Sequence, residues 1–159
     1  MFNGNGYLEP GLHRMTIEEF EAAFVTSFPH SSTRANILVG YVTHHGELAK
    51  ILDRFEQLID GSFTTNKNDP NDVDLLVLAD GELVDALPDD QKARLLELVS
   101  GKETQGKYMC DAYYCPTYPE SHPLYAHSRP QRKYWMGEFG FDRCDVAKGL
   151  VQMQHQNGV

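Results

Sequence analysis

The apolar positions of the chain fall into blocks with two different periods. Ile17, Phe20, Ala23 and Phe24 recur at helical spacing, and Thr16 with Glu19 three residues on forms the reciprocal cap that starts such a helix. Phe28-Pro29 ends it. A second, longer helix is predicted after Ser31-Ser32, with Ile37, Leu38, Tyr41, Val42, Leu48, Leu52 and Phe55 on its buried face. Gly40 and Gly46 lie inside it and are candidate break points. The period then changes. Leu58-Ile59 and Leu75-Leu76-Val77-Leu78 are short continuous apolar runs bounded by turn residues, as buried strands are. Asp80-Gly81 predicts a turn. Pro88 followed by Asp89-Asp90 suits a helix N-terminus; Leu95, Leu96, Leu98 and Val99 form its apolar face, and Ser100-Gly101 stops it. Residues 107–115, rich in β-formers, predict a third strand ended by Pro116 and Pro119. Residues 116–134 hold four prolines and predict loop with a helical turn at most. Leu150 to Met153 predicts a short closing strand. The Gly- and Asn-rich start, residues 2–15, predicts an irregular arm packing through Phe2, Tyr7 and Leu12.

These blocks describe an α+β domain, a small mixed sheet flanked by helices. With 159 residues and no linker, repeat or low-complexity tract, a single domain over 1–159 is expected. No apolar run approaches the roughly 20 residues that cross a bilayer, so no membrane role is expected. The first residues carry no signal-peptide pattern. Three cysteines, Cys110, Cys115 and Cys144, are an odd number and read as free thiols in a reducing, cytoplasmic setting. The net charge of −9 argues against a broad basic face for nucleic acid. It leaves room for a local basic patch.

The chemistry concentrates between Gln57 and Leu78. A Gly61-Ser62 turn follows the first apolar run, and its backbone N–H groups and hydroxyl can hold a phosphate oxygen. After a polar loop, Asp72 and Asp74 open the next run. Carboxylates at i and i+2 on a strand share a face and repel unless a cation lies between them. Oxygen ligands suit a hard ion such as Mg²⁺. Asp111 stands in the middle of the third predicted strand, on the face of Tyr113 and Cys115; Cys110, Ala112 and Tyr114 take the other. A lone carboxylate there is costly unless paired or bound to a cation. Beside the Asp72/Asp74 strand it would complete a three-carboxylate cluster able to hold two Mg²⁺ ions.

The order Gly61-Ser62, Asp72-x-Asp74 and a distant strand Asp111 resembles the polymerase-β-type nucleotidyltransferase superfamily in its minimal form, over about residues 41–115. The nine residues between Ser62 and Asp72 exceed the most compact versions. The chain ends, FNGNGYLEPG and WMGEFGFDR, further resemble an uncharacterised group of small prokaryotic proteins. The resemblance implies the nucleotidyltransferase fold and transfer of a nucleoside monophosphate from an NTP such as ATP to an RNA, protein or small-molecule acceptor. It implies that Asp72 and Asp74 hold Mg²⁺ (or Mn²⁺), that Asp111 binds a second ion and helps deprotonate the acceptor, and that Gly61 and Ser62 hold the β- or γ-phosphate. Small stand-alone members often belong to toxin–antitoxin or phage-defence pairs, which suggests a macromolecular acceptor or a partner protein. The alternative is a catalytically silent nucleotide- or partner-binding module; a third option is a glycosyltransferase-like use of the paired aspartates.

Lys67, the nearest cation in the loop, is a candidate for touching the triphosphate or else a solvated lysine. Arg129, Arg132, Lys133, Arg143 and Lys148 make the last third locally basic, by default a solvated face. Trp135, Phe139 and Phe141 read as core before base-stacking residues. His44 and His45 read as surface or part-buried histidines, and a zinc site from Cys110, Cys115, His122 and Cys144 is disfavoured because the first two point to opposite faces.

Overall fold

The computed structural model describes residues 1–158, and the chain is a mixed α/β domain. In order it runs β1 (Gly11–Arg14), α1 (Ile17–Glu21), α2 (Arg34–Ala49), β2 (Arg54–Asp60), β3 (Val73–Asp80), α3 (Gly81–Asp85), α4 (Asp89–Leu98), α5 (Lys102–Tyr108), β4 (Cys110–Thr117), α6 (Tyr125–Gly140) and β5 (Gly149–Gln156). The five strands form one sheet in the order β1-β5-β2-β3-β4. β2 is antiparallel to both β3 and β5, while β1–β5 and β3–β4 are parallel pairs. One face carries Phe55, Ile59, Leu75, Val77, Ala112 and Val151 against Phe20, Phe24, Ile37, Tyr41, Leu48 and Leu98 of the helices. On the other, Leu58, Leu76, Leu78 and Cys115 pack under Trp135 and Phe139 of α6 alone. No helix among the described residues is long and apolar enough to cross a membrane.

Local sequence explains most elements. Thr16 and Glu19 make the expected reciprocal cap of α1, which continues through one π-helical turn, Ala22–Thr26. The Ser31 hydroxyl accepts the Thr33 and Arg34 N–H groups at the start of α2. Gly40 and Gly46 do not break α2. A Cβ at Gly40 would overlap the Tyr108 carbonyl oxygen, so that glycine is where α5 crosses closely. His44 and His45 are buried on α2, His44 Nε2 donating to the Leu98 carbonyl at 2.7 Å and His45 bonding Gln57 at 2.8 Å.

Several expectations are corrected. α2 stops at Ala49, and Phe55 reaches the core from β2, because Leu52 and Phe55 keep a helical spacing across a turn. The expected third strand starts only at Cys110; residues 102–108 are α5, and Met109 in a left-handed conformation, φ 58°, separates the two. Asp80-Gly81 starts α3, with the Asp80 carboxylate accepting the Glu82 N–H. The predicted loop at 116–134 ends in α6, which contains Pro130. Proline removes one helical hydrogen bond, but here it sits on the exposed side while Trp135 and Phe139 anchor the helix to the sheet. The N-terminal arm contributes β1; Leu8 is its buried anchor, whereas Leu12 is 42% exposed. β5 is longer than predicted and lies inside the sheet.

Candidate metal centre on the α6 face of the sheet

The strand register builds the site. Asp60 of β2 pairs with Asp74 of β3, and Asp74 pairs with Asp111 of β4. Residues paired across neighbouring strands project to the same face, so three carboxylates stand side by side. Asp72, just before β3, adds a fourth. Ligand oxygens of Asp72, Asp74 and Asp111 all lie within 4.8 Å of one another, the one such ligand set among the described residues. The imagined zinc set does not form, since Cys110 and Cys115 lie in the cores on opposite faces.

The loop after β2 lets these groups approach. Gly61 has φ 84°, and a Cβ there would overlap Asp74 Oδ2. Only a residue without a side chain holds that conformation freely while the carboxylate comes so near. Ser62 follows in a single 3₁₀ turn, Ser62–Thr64, at the edge of the cluster. The rest of the loop is tied down by Arg34. This guanidinium is fully buried, lies 3.8 Å over the Phe28 ring, and donates to the carbonyls of Phe24 (2.8 Å), Phe63 (2.7 Å), Thr65 (2.9 Å), Lys67 (2.5 Å) and Asn68 (3.2 Å). Burial lowers it to about 10, which leaves it charged at neutral pH.

The electrostatics are those of crowded carboxylates. Burial first, then Asp72, Asp60 and Asp111, pushes Asp74 up to about 6. Burial raises Asp60 as well, opposed by the Lys148 ammonium 2.8 Å away. Lys102 Nζ lies 2.7 Å from Asp111 and 3.9 Å from Asp72, and Gln105 Nε2 donates to Asp72. Two lysines among four carboxylates leave negative charge uncompensated. Asp60 Oδ1 and Asp111 Oδ1 are buried without a hydrogen-bond partner. An all-oxygen set with excess negative charge and orphaned acceptors fits a hard divalent cation.

The structure therefore brings together Asp72, Asp74, Asp111, Gly61 and Ser62. It places Lys67 differently: its side chain is exposed, and among the described residues it makes no ion pair, while its carbonyl serves Arg34. The cations at the cluster are Lys102 and Lys148, and the latter is a part-buried ion-pair partner rather than part of a solvated basic face. Asp60, Lys102 and Arg34 escaped the sequence reading, and Lys148 was marked only as part of a basic stretch. The one signal for Arg34 was a cation in the first turn of a helix, where the helix dipole disfavours it. Nothing local marked Asp60, because its role depends on register.

A model of a family of unknown function, DUF6932, matches residues 1–154. Neither a curated protein nor a solved structure matches the chain.

Proposed function

The chain belongs to this family of unknown function, so its activity is read from the site, and we propose that it is a Mg²⁺- or Mn²⁺-dependent nucleotidyltransferase with the polymerase-β-type fold. The observation that carries the reading is the convergence of the Asp72, Asp74 and Asp111 oxygens within 4.8 Å beside the Gly61-Ser62 turn. Asp72, Asp74 and Asp111 would hold the metal. A bound divalent ion supplies neutralisation of triphosphate charge and acidification of the attacking hydroxyl.

The protein's residues divide the remaining work. The Gly61–Ser62 backbone and the Ser62 hydroxyl receive a β- or γ-phosphate oxygen. Asp111 Oδ1, buried and free of partners, takes the proton of the acceptor hydroxyl. The acceptor oxygen then bonds to the α-phosphorus, the bond to the bridging oxygen breaks, and pyrophosphate leaves with its electron pair. Lys102, exposed on a short helix, is released from the carboxylates and meets the leaving anion. Lys148 pairs with Asp60 and holds it in place beside Asp74. Catalysis of this kind is positioning and charge neutralisation.

The test incubates the protein with each α-labelled NTP, Mg²⁺ or Mn²⁺, and total RNA and protein, beside Asp72→Ala/Asp74→Ala. Label transfer that needs both aspartates supports the reading; transfer that survives their loss sinks it. A second reading, nucleotide or partner binding without transfer, is favoured by one observation: Lys102 and Lys148 already satisfy part of the cluster from within the chain. Nucleotide binding with no labelled product from any NTP would select it.

A further inference from the structure

A cavity of about 1150 Å³ opens between the first half of α6 and the far ends of β2, β3 and β4. It lies on the face of the sheet that carries the carboxylates, since Leu78 and Asp80 of β3 line it and share the side of Asp74. Asp80 lies six positions beyond Asp74 on β3, so that end of the floor is roughly 20 Å from the carboxylate cluster at about 3.3 Å per residue.

The walls carry Arg54 from β2 and Arg129, Arg132 and Lys133 from α6. Three carboxylates also line the cavity. Asp80 caps α3, Asp53 accepts from the Asn157 amide at 3.1 Å, and Glu56 accepts from Gln154 at 3.3 Å and stands 3.9 Å from Arg132. Among the described residues, Arg54, Arg129 and Lys133 form no ion pair. The lining thus counts four basic side chains against three acidic ones, and three of the basic ones stand unpaired, in a chain whose net charge is −9. Tyr125 and Tyr118 line the same space, the Tyr118 ring stacked on His122 at 4.5 Å. Cations spaced along a groove with interleaved aromatic rings are how proteins hold a phosphodiester backbone while stacking its bases.

We propose that this cavity seats a single-stranded nucleic acid, which makes a polynucleotide strand the acceptor class. That last step rests on the transferase reading; the cavity's ligand does not. Overall negative charge keeps polyanions off the remaining surface, so the strand is confined to this groove. A volume of about 1150 Å³ suits a few nucleotides.

Fluorescence anisotropy with labelled oligo-U, oligo-dT and a duplex tests the inference. With three cations on phosphates, log affinity should fall against log salt with a slope of about −2, at about 0.7 per contact for single strands. Arg129→Glu/Lys133→Glu, both on the exposed side of α6, should weaken binding at least about tenfold and flatten the slope to about −0.7. Arg54→Glu, on the opposite wall, gives an independent loss, and a circular-dichroism melt checks that each variant is folded. Tighter binding of oligo-U assigns RNA, and equal binding assigns single strands generally; both support the inference. No binding of either strand, an unaffected folded variant, equal binding of the duplex, or equal binding of poly-glutamate overturns it. Asp74→Asn should keep strand affinity. Strand binding without nucleotidyl transfer would sink the transferase reading alone, and transfer to a small-molecule hydroxyl without strand binding would sink this inference alone.

Discussion

Replacing Asp74 by Asn removes a charge that the fold holds at a cost. Asp74 titrates at about 6, against an ordinary 3.8, because it is buried and faces Asp72, Asp60 and Asp111. The folded protein keeps the proton to higher pH than the unfolded chain does. Stability therefore falls as pH rises from about 4 through about 6, and the whole penalty is in place at neutral pH. A difference of about two pH units, at about 1.36 kcal/mol each, sets a ceiling of about 3 kcal/mol. Residual solvent contact reduces it, so Asp74→Asn should stabilise the apo protein by about 1–3 kcal/mol at pH 7.5. At roughly 2–4 °C per kcal/mol for a chain of this size, Tm should rise by about 2–12 °C. Mg²⁺ should raise the Tm of the wild type by binding the folded state, and that increment should vanish in the variant, which lacks one ligand oxygen. Thermal and urea denaturation with and without Mg²⁺ measure both effects. A variant less stable than wild type, or an equal Mg²⁺ increment in both, would refute the reasoning.

Arg34→Met should cost about 3–5 kcal/mol in urea denaturation, because it strands several buried carbonyls that one guanidinium serves. Gly61→Ala forces a side chain into a left-handed conformation and against Asp74; a loss of at least about 1–3 kcal/mol and weaker Mg²⁺ binding by calorimetry are expected. His44 is buried and held down to about 4, so the unfolded chain takes up its proton first as pH falls. The stability it supports is complete above about pH 6.5 and drains away toward pH 4 by about 3 kcal/mol, which denaturation at stepped pH will show, and His44→Gln should flatten that profile.

Much of the site was legible because its residues sit at strand ends marked by local chemistry. Gly61-Ser62 closes one apolar run, Asp72-x-Asp74 opens the next, and Asp111 interrupts a third; β2, β3 and β4 are adjacent as those motifs require. Lys102 was not legible, because residues 102–108 lie beside a β-rich stretch and their helix is recognised only by how it packs on Gly40. α6 was hidden by Pro130, since local propensity weighs a proline heavily and cannot see Trp135 and Phe139 docking on Leu58 and Leu76.

By itself the sequence determined what short-range physics controls: the cap of α1, the apolar periods, the buried strands and the alternation that sends Asp111 and Cys110 to opposite faces. Periodicity and capping act over a few residues, so they can be read in order along the chain. The tertiary structure alone decided what depends on register and on distant partners. Pairing Asp60 with Asp74 and Asp74 with Asp111 made three carboxylates into neighbours. Inserting β5 beside β2 let Lys148 meet Asp60, 88 positions away in the chain. Folding α6 over the sheet turned scattered arginines into the wall of a cavity. Such contacts draw their free energy from burial shared across the whole domain, and no local stretch of sequence encodes that.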